Sequence, residues 1–204
     1  MTPPAADLPE HVAAGALLNR TSAYLTVENA ASRVQVSMAT LPGLLYRIST
    51  AGDSGLEPRV TARNGVVRAR LLPTGADGPD EVRIVLNRGV RWAISLPAGA
   101  GEQQLDLRRG RLARVDLGAS GLLEMHLPAP AGTVPVTLHG AVGSLVLTGG
   151  PVRLELDRGV GSAVLPWGTS GITQTPGWSN TSDRYAIRAR AAVGTLIVRT
   201  DQDE

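Results

Sequence analysis

The sequence predicts an all-β protein: a β-solenoid, that is, a single-stranded β-helix-like stack with two facing sheets, with an antiparallel β-sandwich as the alternative. Three observations predict it. Leucine recurs every 9–11 residues, at Leu86, Leu96, Leu107, Leu117, Leu127, Leu138, Leu147, Leu156 and Leu165. A second apolar residue stands two positions before each, among them Ile84, Ile94, Val115, Met125 and Leu154. Glycine-bearing breaks separate the pairs. Apolar side chains at i and i+2 line one face of a strand, so each pair marks a short strand with one buried side.

Along the chain, residues 1–20 read as a flexible arm, rich in Pro and Ala up to about residue 10, with a single helical turn over 11–19. Residues 21–80 lack the rhythm and read as an irregular β cap or opening sheet. Its candidate strands are 23–27, 33–38, 44–49, 59–62 and 66–72, with Asn64-Gly65 as a hairpin signal. Residues 81–200 form the β-repeat stack. Short breaks such as Gly99 to Gly101, Gly118 to Gly121 and Asp157 to Gly161 supply its corners. Leu96-Pro97-Ala98 returns as Leu127-Pro128-Ala129, an echo at longer period. In a stack, each coil of about 20 residues gives one strand to each sheet, and strands i and i+2 pair in parallel. In a meander, consecutive strands pair antiparallel. Near-constant spacing favours the stack. The rhythm breaks at a Gly/Ser/Thr/Pro-rich loop, 166–183, which carries Trp167 and Trp178. Strands over 185–190 and 194–200 and an acidic tail, 201–204, follow.

Composition removes several function classes. The chain has 204 residues, enough to bury a core without staples, and no cysteine, so disulfides, thiolate metal sites and a cysteine nucleophile are excluded. All 20 basic residues are Arg, so a phosphate loop ending in Gly-Lys-Ser/Thr cannot be built. Net charge is only +2, and the arginines are scattered, with Arg108, Arg109, Arg111 and Arg114 the densest group. That pattern does not suit nucleic acid. No apolar run approaches the ~20 residues of a membrane-spanning helix, and residues 1–10 lack a signal peptide's charged and apolar regions.

Val90-Arg91-Trp92, the run Leu105-Asp106-Leu107-Arg108-Arg109-Gly110-Arg111-Leu112, Leu127-Pro128-Ala129-Pro130, Gly161-Ser162, Pro176-Gly177-Trp178 and Asp183-Arg184-Tyr185 carry a family likeness. Over about residues 20–200 the chain resembles actinobacterial β-strand-repeat proteins of the adhesin-like, toastrack type. The resemblance implies single-stranded β-helix-like stacks, often the extracytoplasmic part of an anchored envelope protein. It implies no catalytic residues and no cofactor. Localisation stays open: the absence of targeting signals points to the cytoplasm, and a trimmed ectodomain would be extracytoplasmic.

Two constellations stand out. Asp106, Asp116 and His126 share the phase between the apolar positions of their strands and should face outward. In a stack Asp106 and His126 fall on adjacent coils, about 5 Å apart, with Glu124 on the same face. A metal or an acid–base pair could be built from such groups. As a plain solvated face, Arg114 would partner Asp116 and Thr137 would partner His126. The second constellation is aromatic. Trp167, Trp178 and Tyr185 fall within 19 residues beside Arg184, as a sugar- or peptide-binding platform would. The same rings could plug the open end of the stack. Gly161-Ser162 and Gly168-Thr169-Ser170-Gly171 lack the spacing of a nucleophile elbow. The reading that results is a non-enzymatic binding or assembly module with a homo-oligomeric or protein partner. A carbohydrate-binding or carbohydrate-active β-helix comes second. An accessory protein with a small-ligand pocket between the first third and the stack comes third. No metal, cofactor or nucleic acid is expected.

Overall fold

The leucine rhythm is the trace of a chain that changes sheet at each corner. The computed structural model describes residues 9–167 and 174–199. The first strands are β1 (His11–Ala16), β2 (Ser22–Val27), β3 (Ala31–Ala39), β4 (Leu44–Thr50), β5 (Leu56–Arg63) and β6 (Val66–Pro73). Next come β7 (Glu81–Asn87), β8 (Arg91–Leu96), β9 (Ala100–Asp106), β10 (Arg111–Leu117), β11 (Ser120–His126) and β12 (Thr133–Leu138). The last are β13 (Val142–Thr148), β14 (Val152–Leu156), β15 (Val160–Val164), β16 (Arg184–Ala189) and β17 (Val193–Arg199), with a 3-10 turn at Trp178–Asn180. The start of the N-terminal arm, residues 1–8, the Gly-Thr-Ser-Gly stretch at 168–171 and the acidic tail lie outside the described residues.

The strands make two facing sheets. One has nine strands in the order β1-β4-β7-β3-β9-β11-β13-β17-β15; the other has eight, in the order β14-β16-β12-β10-β8-β2-β6-β5. From β8 to β13 consecutive strands go to opposite sheets, and i pairs with i+2 in parallel: β8 with β10, β9 with β11, β10 with β12, β11 with β13. This is the stacked arrangement and not the antiparallel meander. Among the named strands antiparallel pairing occurs within β1–β7, where β4 joins β1 and β7, and β5 joins β6; a single antiparallel bridge, Arg153↔Gln174, lies further on.

Burial follows the i, i+2 pattern. Leu105, Leu107, Leu117, Leu123, Met125, Leu138, Leu145 and Leu147 are fully enclosed between the sheets. Burying each leucine side chain is worth about 1.5–3 kcal/mol, so the repeated pairs are the main source of stability. Two polar groups of the core, those of Asn87 and Trp92, are satisfied locally. Asn87 donates to the carbonyls of Leu41 and Leu44, and the Trp92 indole donates to the Asn87 carbonyl at 3.0 Å.

Three features depart from the sequence reading. The helical turn expected over 11–19 is strand β1, in register with β4 from His11↔Thr50 onward. Small residues with no strong preference of their own complete an open strand edge there. Second, the first third is woven into both sheets, with β2 and β3 seated inside them, parallel to β8 and β9. Third, three glycines expected at corners, Gly101, Gly121 and Gly161, belong to a ladder inside the nine-stranded sheet. Gly101, Gly121, Gly143, Gly194 and Gly161 stack across β9, β11, β13, β17 and β15. A Cβ at Gly121 would lie 2.9 Å from the Gly101 carbonyl oxygen, and one at Gly143 2.6 Å from that of Gly121. Glycine is required there by close approach of backbones.

Spatial order differs from chain order at both ends. Layer by layer the stack runs β6/β7, β2/β3, β8/β9, β10/β11, β12/β13, β16/β17, β14/β15. The pair β2/β3 precedes β6/β7 in sequence yet sits inside it, and the last pair, β16/β17, is inserted inside β14/β15.

Candidate functional site

The parallel register brings the predicted polar residues of the nine-stranded sheet together. His126 of β11 lies directly beside Asp106 of β9. His126 Nε2 is 3.1 Å from Glu124 Oε1, and Asp106 accepts two hydrogen bonds from the Arg108 guanidinium, each 3.0 Å. Those hydrogen bonds, and the positive charge of Arg108, hold the Asp106 carboxyl below the usual range against the opposing effect of its partial burial. The group borders a shallow cleft of about 280 Å³ whose lining includes Gln35, Arg83, Gln104 and Glu124. The Gln35 amide donates to Gln104, which donates to Glu102. His126 Nδ1 is buried and has no partner among the described residues. The arrangement offers donors and acceptors to a polar ligand. No group of three or more metal-ligating side chains occurs among the described residues.

Arg114 and Asp116 do not join it. They stand on β10, in the other sheet, paired with each other, and Asp116 also has His139 Nε2 at 3.4 Å. Thr137 neighbours Asp116 and not His126, whose cross-strand neighbours are Asp106 and Thr148. The five polar residues thus form two groups on the two outer faces, Asp106, Glu124 and His126 on one and Arg114 and Asp116 on the other, and no single groove of the carbohydrate-active kind unites them.

The aromatic residues are drawn into packing. Tyr185 points inward from β16, fully buried, and its hydroxyl donates to the Pro128 carbonyl at 2.8 Å. Trp178 is buried on the 3-10 turn, and its indole donates to the Tyr185 carbonyl at 3.0 Å. The Arg184 guanidinium stacks 4.2 Å from the Trp178 ring centroid, with that of Arg153 at 5.4 Å. Trp167 packs against the core. Trp178 and Arg184 clamp the last two layers from outside.

Two surface features were not read from the sequence. One is an apolar strip on the outer face of the nine-stranded sheet, where Val146, Ile197 and the well-exposed Val164 share one row beside Leu122. The runs Leu145-Val146-Leu147 and Leu196-Ile197-Val198, apolar where strict alternation would place a polar residue, were the available signal. The other is a cluster of arginines on β5 and β6, signalled by Arg68-Ala69-Arg70 opposite Arg59.

The chain matches no protein-family model, and no curated protein matches it. Among solved structures it is similar to a "putative cell adhesion protein" from Clostridium sporogenes ATCC 15579, with a TM-score of 0.73 at 16% identity, over 95% of this chain and 99% of that one. It was also matched to a "putative adhesin" from Bacteroides fragilis NCTC 9343, with a TM-score of 0.37 at 9% identity, over 96% and 99% of the two chains. The first likeness establishes a shared two-sheet fold.

Proposed function

We propose that this chain is a non-enzymatic binding or assembly module that works through its outer sheet faces and strand edges. The observation that supports this best is the β15 edge of the nine-stranded sheet. Among the described residues β15 pairs with β17 alone, and its sequence, Val-Gly-Ser-Ala-Val, carries no charge. Edge strands that must stay single are ordinarily blunted by charge or proline, as β5 is here with Glu57, Pro58 and Arg59. The apolar strip of Leu122, Val146 and Ile197 leads up to the same edge. An adhesion-type role fits the description of the Clostridium protein that shares the fold, an analogy of architecture.

Light scattering over a rising concentration series tests the assembly form of this reading. Association that grows with concentration and is lost in Val164→Arg is the expected result. A particle that stays monomeric at every concentration overturns assembly through this edge.

A further inference from the structure

Over much of both outer faces arginine stands beside a carboxylate, as Arg114 beside Asp116 and Arg188 beside Asp157 do on the eight-stranded sheet. On the nine-stranded sheet Arg33 lies between Glu81 and Glu102, and Arg47 meets Glu10. At the β5–β6 end of the other sheet the balance fails. Antiparallel pairing sets Arg59 directly opposite Arg70, while Arg63 and Arg68 project from the same outward side. Like charges placed directly opposite are destabilising, and these exposed positions have no packing need for arginine. Glu57 and Glu28 reach Arg59 and Arg70 at 2.9 and 2.7 Å, but Arg63 and Arg68 have no carboxylate partner among the described residues. A cleft of about 560 Å³ opens there, lined by Arg59, Arg68, Arg70, Glu28, Thr61 and Leu72, with Val60 at its side.

We propose that this cleft binds an acidic polysaccharide. The arginines would pair its carboxylate or sulfate groups, for which the planar guanidinium fork is suited. Glu28, Glu57 and Thr61 would take hydrogen bonds from its hydroxyls. That mixture decides among polyanions. A sugar polymer's hydroxyls give Glu28 and Thr61 donors that a phosphate backbone largely lacks, and the cleft's lining holds no aromatic ring on which a base could stack. A lipid surface would meet only one well-exposed large apolar side chain in that lining, Leu72. The site lies at the opposite end of the stack from β15 and on the other sheet. It rests on the binding-module reading and names a ligand class for it.

Calorimetric titration of the full chain at low salt would use polygalacturonate and dextran sulfate, with neutral dextran and duplex DNA for comparison. Binding to at least one acidic polymer, weakening with added salt and absent with neutral dextran, is expected. Arg63→Gln/Arg68→Gln should lose about tenfold or more in affinity. Arg63→Lys/Arg68→Lys should recover part of it, which separates lost contacts from a damaged fold. Arg47→Gln/Arg199→Gln removes the same charge from the nine-stranded sheet, away from both clefts, and should bind as the parent does. No binding to either acidic polymer, an equal loss in the Arg47/Arg199 variant, or tighter binding to DNA overturns the proposal. Light scattering on the same sample keeps the outcome separate from the assembly reading.

Discussion

At the scale of single residues, the glycine ladder and one buried tyrosine show where the fold has no slack. Gly143 lies mid-sheet, and a methyl group there would meet the Gly121 backbone at 2.6 Å. Neither strand can move without disturbing its next neighbour, so Gly143→Ala should cost about 1–3 kcal/mol by overpacking, read as a lower urea midpoint. Gly132, with nothing within 4 Å of an added Cβ, lies outside the ladder, and the strain of its positive φ would be felt only locally. Tyr185 makes a different point. Burial pushes its phenol well above the ordinary value, and Tyr46 is shifted the same way for the same reason. The unfolded chain releases these protons from about pH 10 while the folded protein keeps them. The stabilisation is therefore fully present below that pH and is lost as pH rises above it. Denaturant midpoints measured at pH 8 and pH 11 should fall on alkalinisation, and Tyr185→Phe should fall less, with a residual slope from Tyr46. At pH 8 the same variant should lose about 1 kcal/mol, because the Pro128 carbonyl is left without its donor.

At the scale of elements, β16 and β17 act as a wedge. The sheet ladders of β14 and β15 run only to β16 and β17, which in turn bind β12 and β13. A chain ending at residue 183 should therefore lose amide protection in β14 and β15 although both remain present, as hydrogen exchange would record. A chain ending at residue 148 should keep its protection from β8 to β11. Unchanged protection of β14 and β15 in the longer truncation would contradict this account. The wedge also marks how far the sequence could be read. The apolar pairs located nearly every strand, and parallel register followed from even spacing, which is why Asp106 and His126 were placed side by side. The order of the layers was not legible. Each layer presents the same inward pattern, so the pattern alone is blind to which layer lies on which. For the same reason Arg114 and Asp116 fell on the opposite face from Glu124: they share a phase, and the phase does not say which sheet. Gly101, Gly121 and Gly161 resembled corner glycines because each stands one residue into its strand. What distinguishes them is the backbone of a neighbour distant in sequence.

At the scale of the whole molecule, the two ends are built differently. The β6/β7 end is extended by antiparallel strands, β5 on one sheet and β4 then β1 on the other, and β5 carries charge and proline along its edge. The β14/β15 end closes with parallel strands. The outer surface of β14 and β16 is clamped by Trp178 between two arginines, while the uncharged strand β15 ends the nine-stranded sheet. The molecule thus has a basic cleft at one end and an apolar edge at the other, on different faces. Contacts made through one leave the other free.

The inserted layer has a mechanical consequence. Tension applied to the C-terminal side of β17 does not act on an outermost strand, which would peel away one hydrogen bond at a time. It acts on a strand gripped from both sides, by β13 and by β15, along nearly its whole length. Both rows of bonds carry the load together, and the strand beyond must be shed or carried along before the grip fails. The exchange of layer order, to which the apolar pattern is blind, makes β17 a latch.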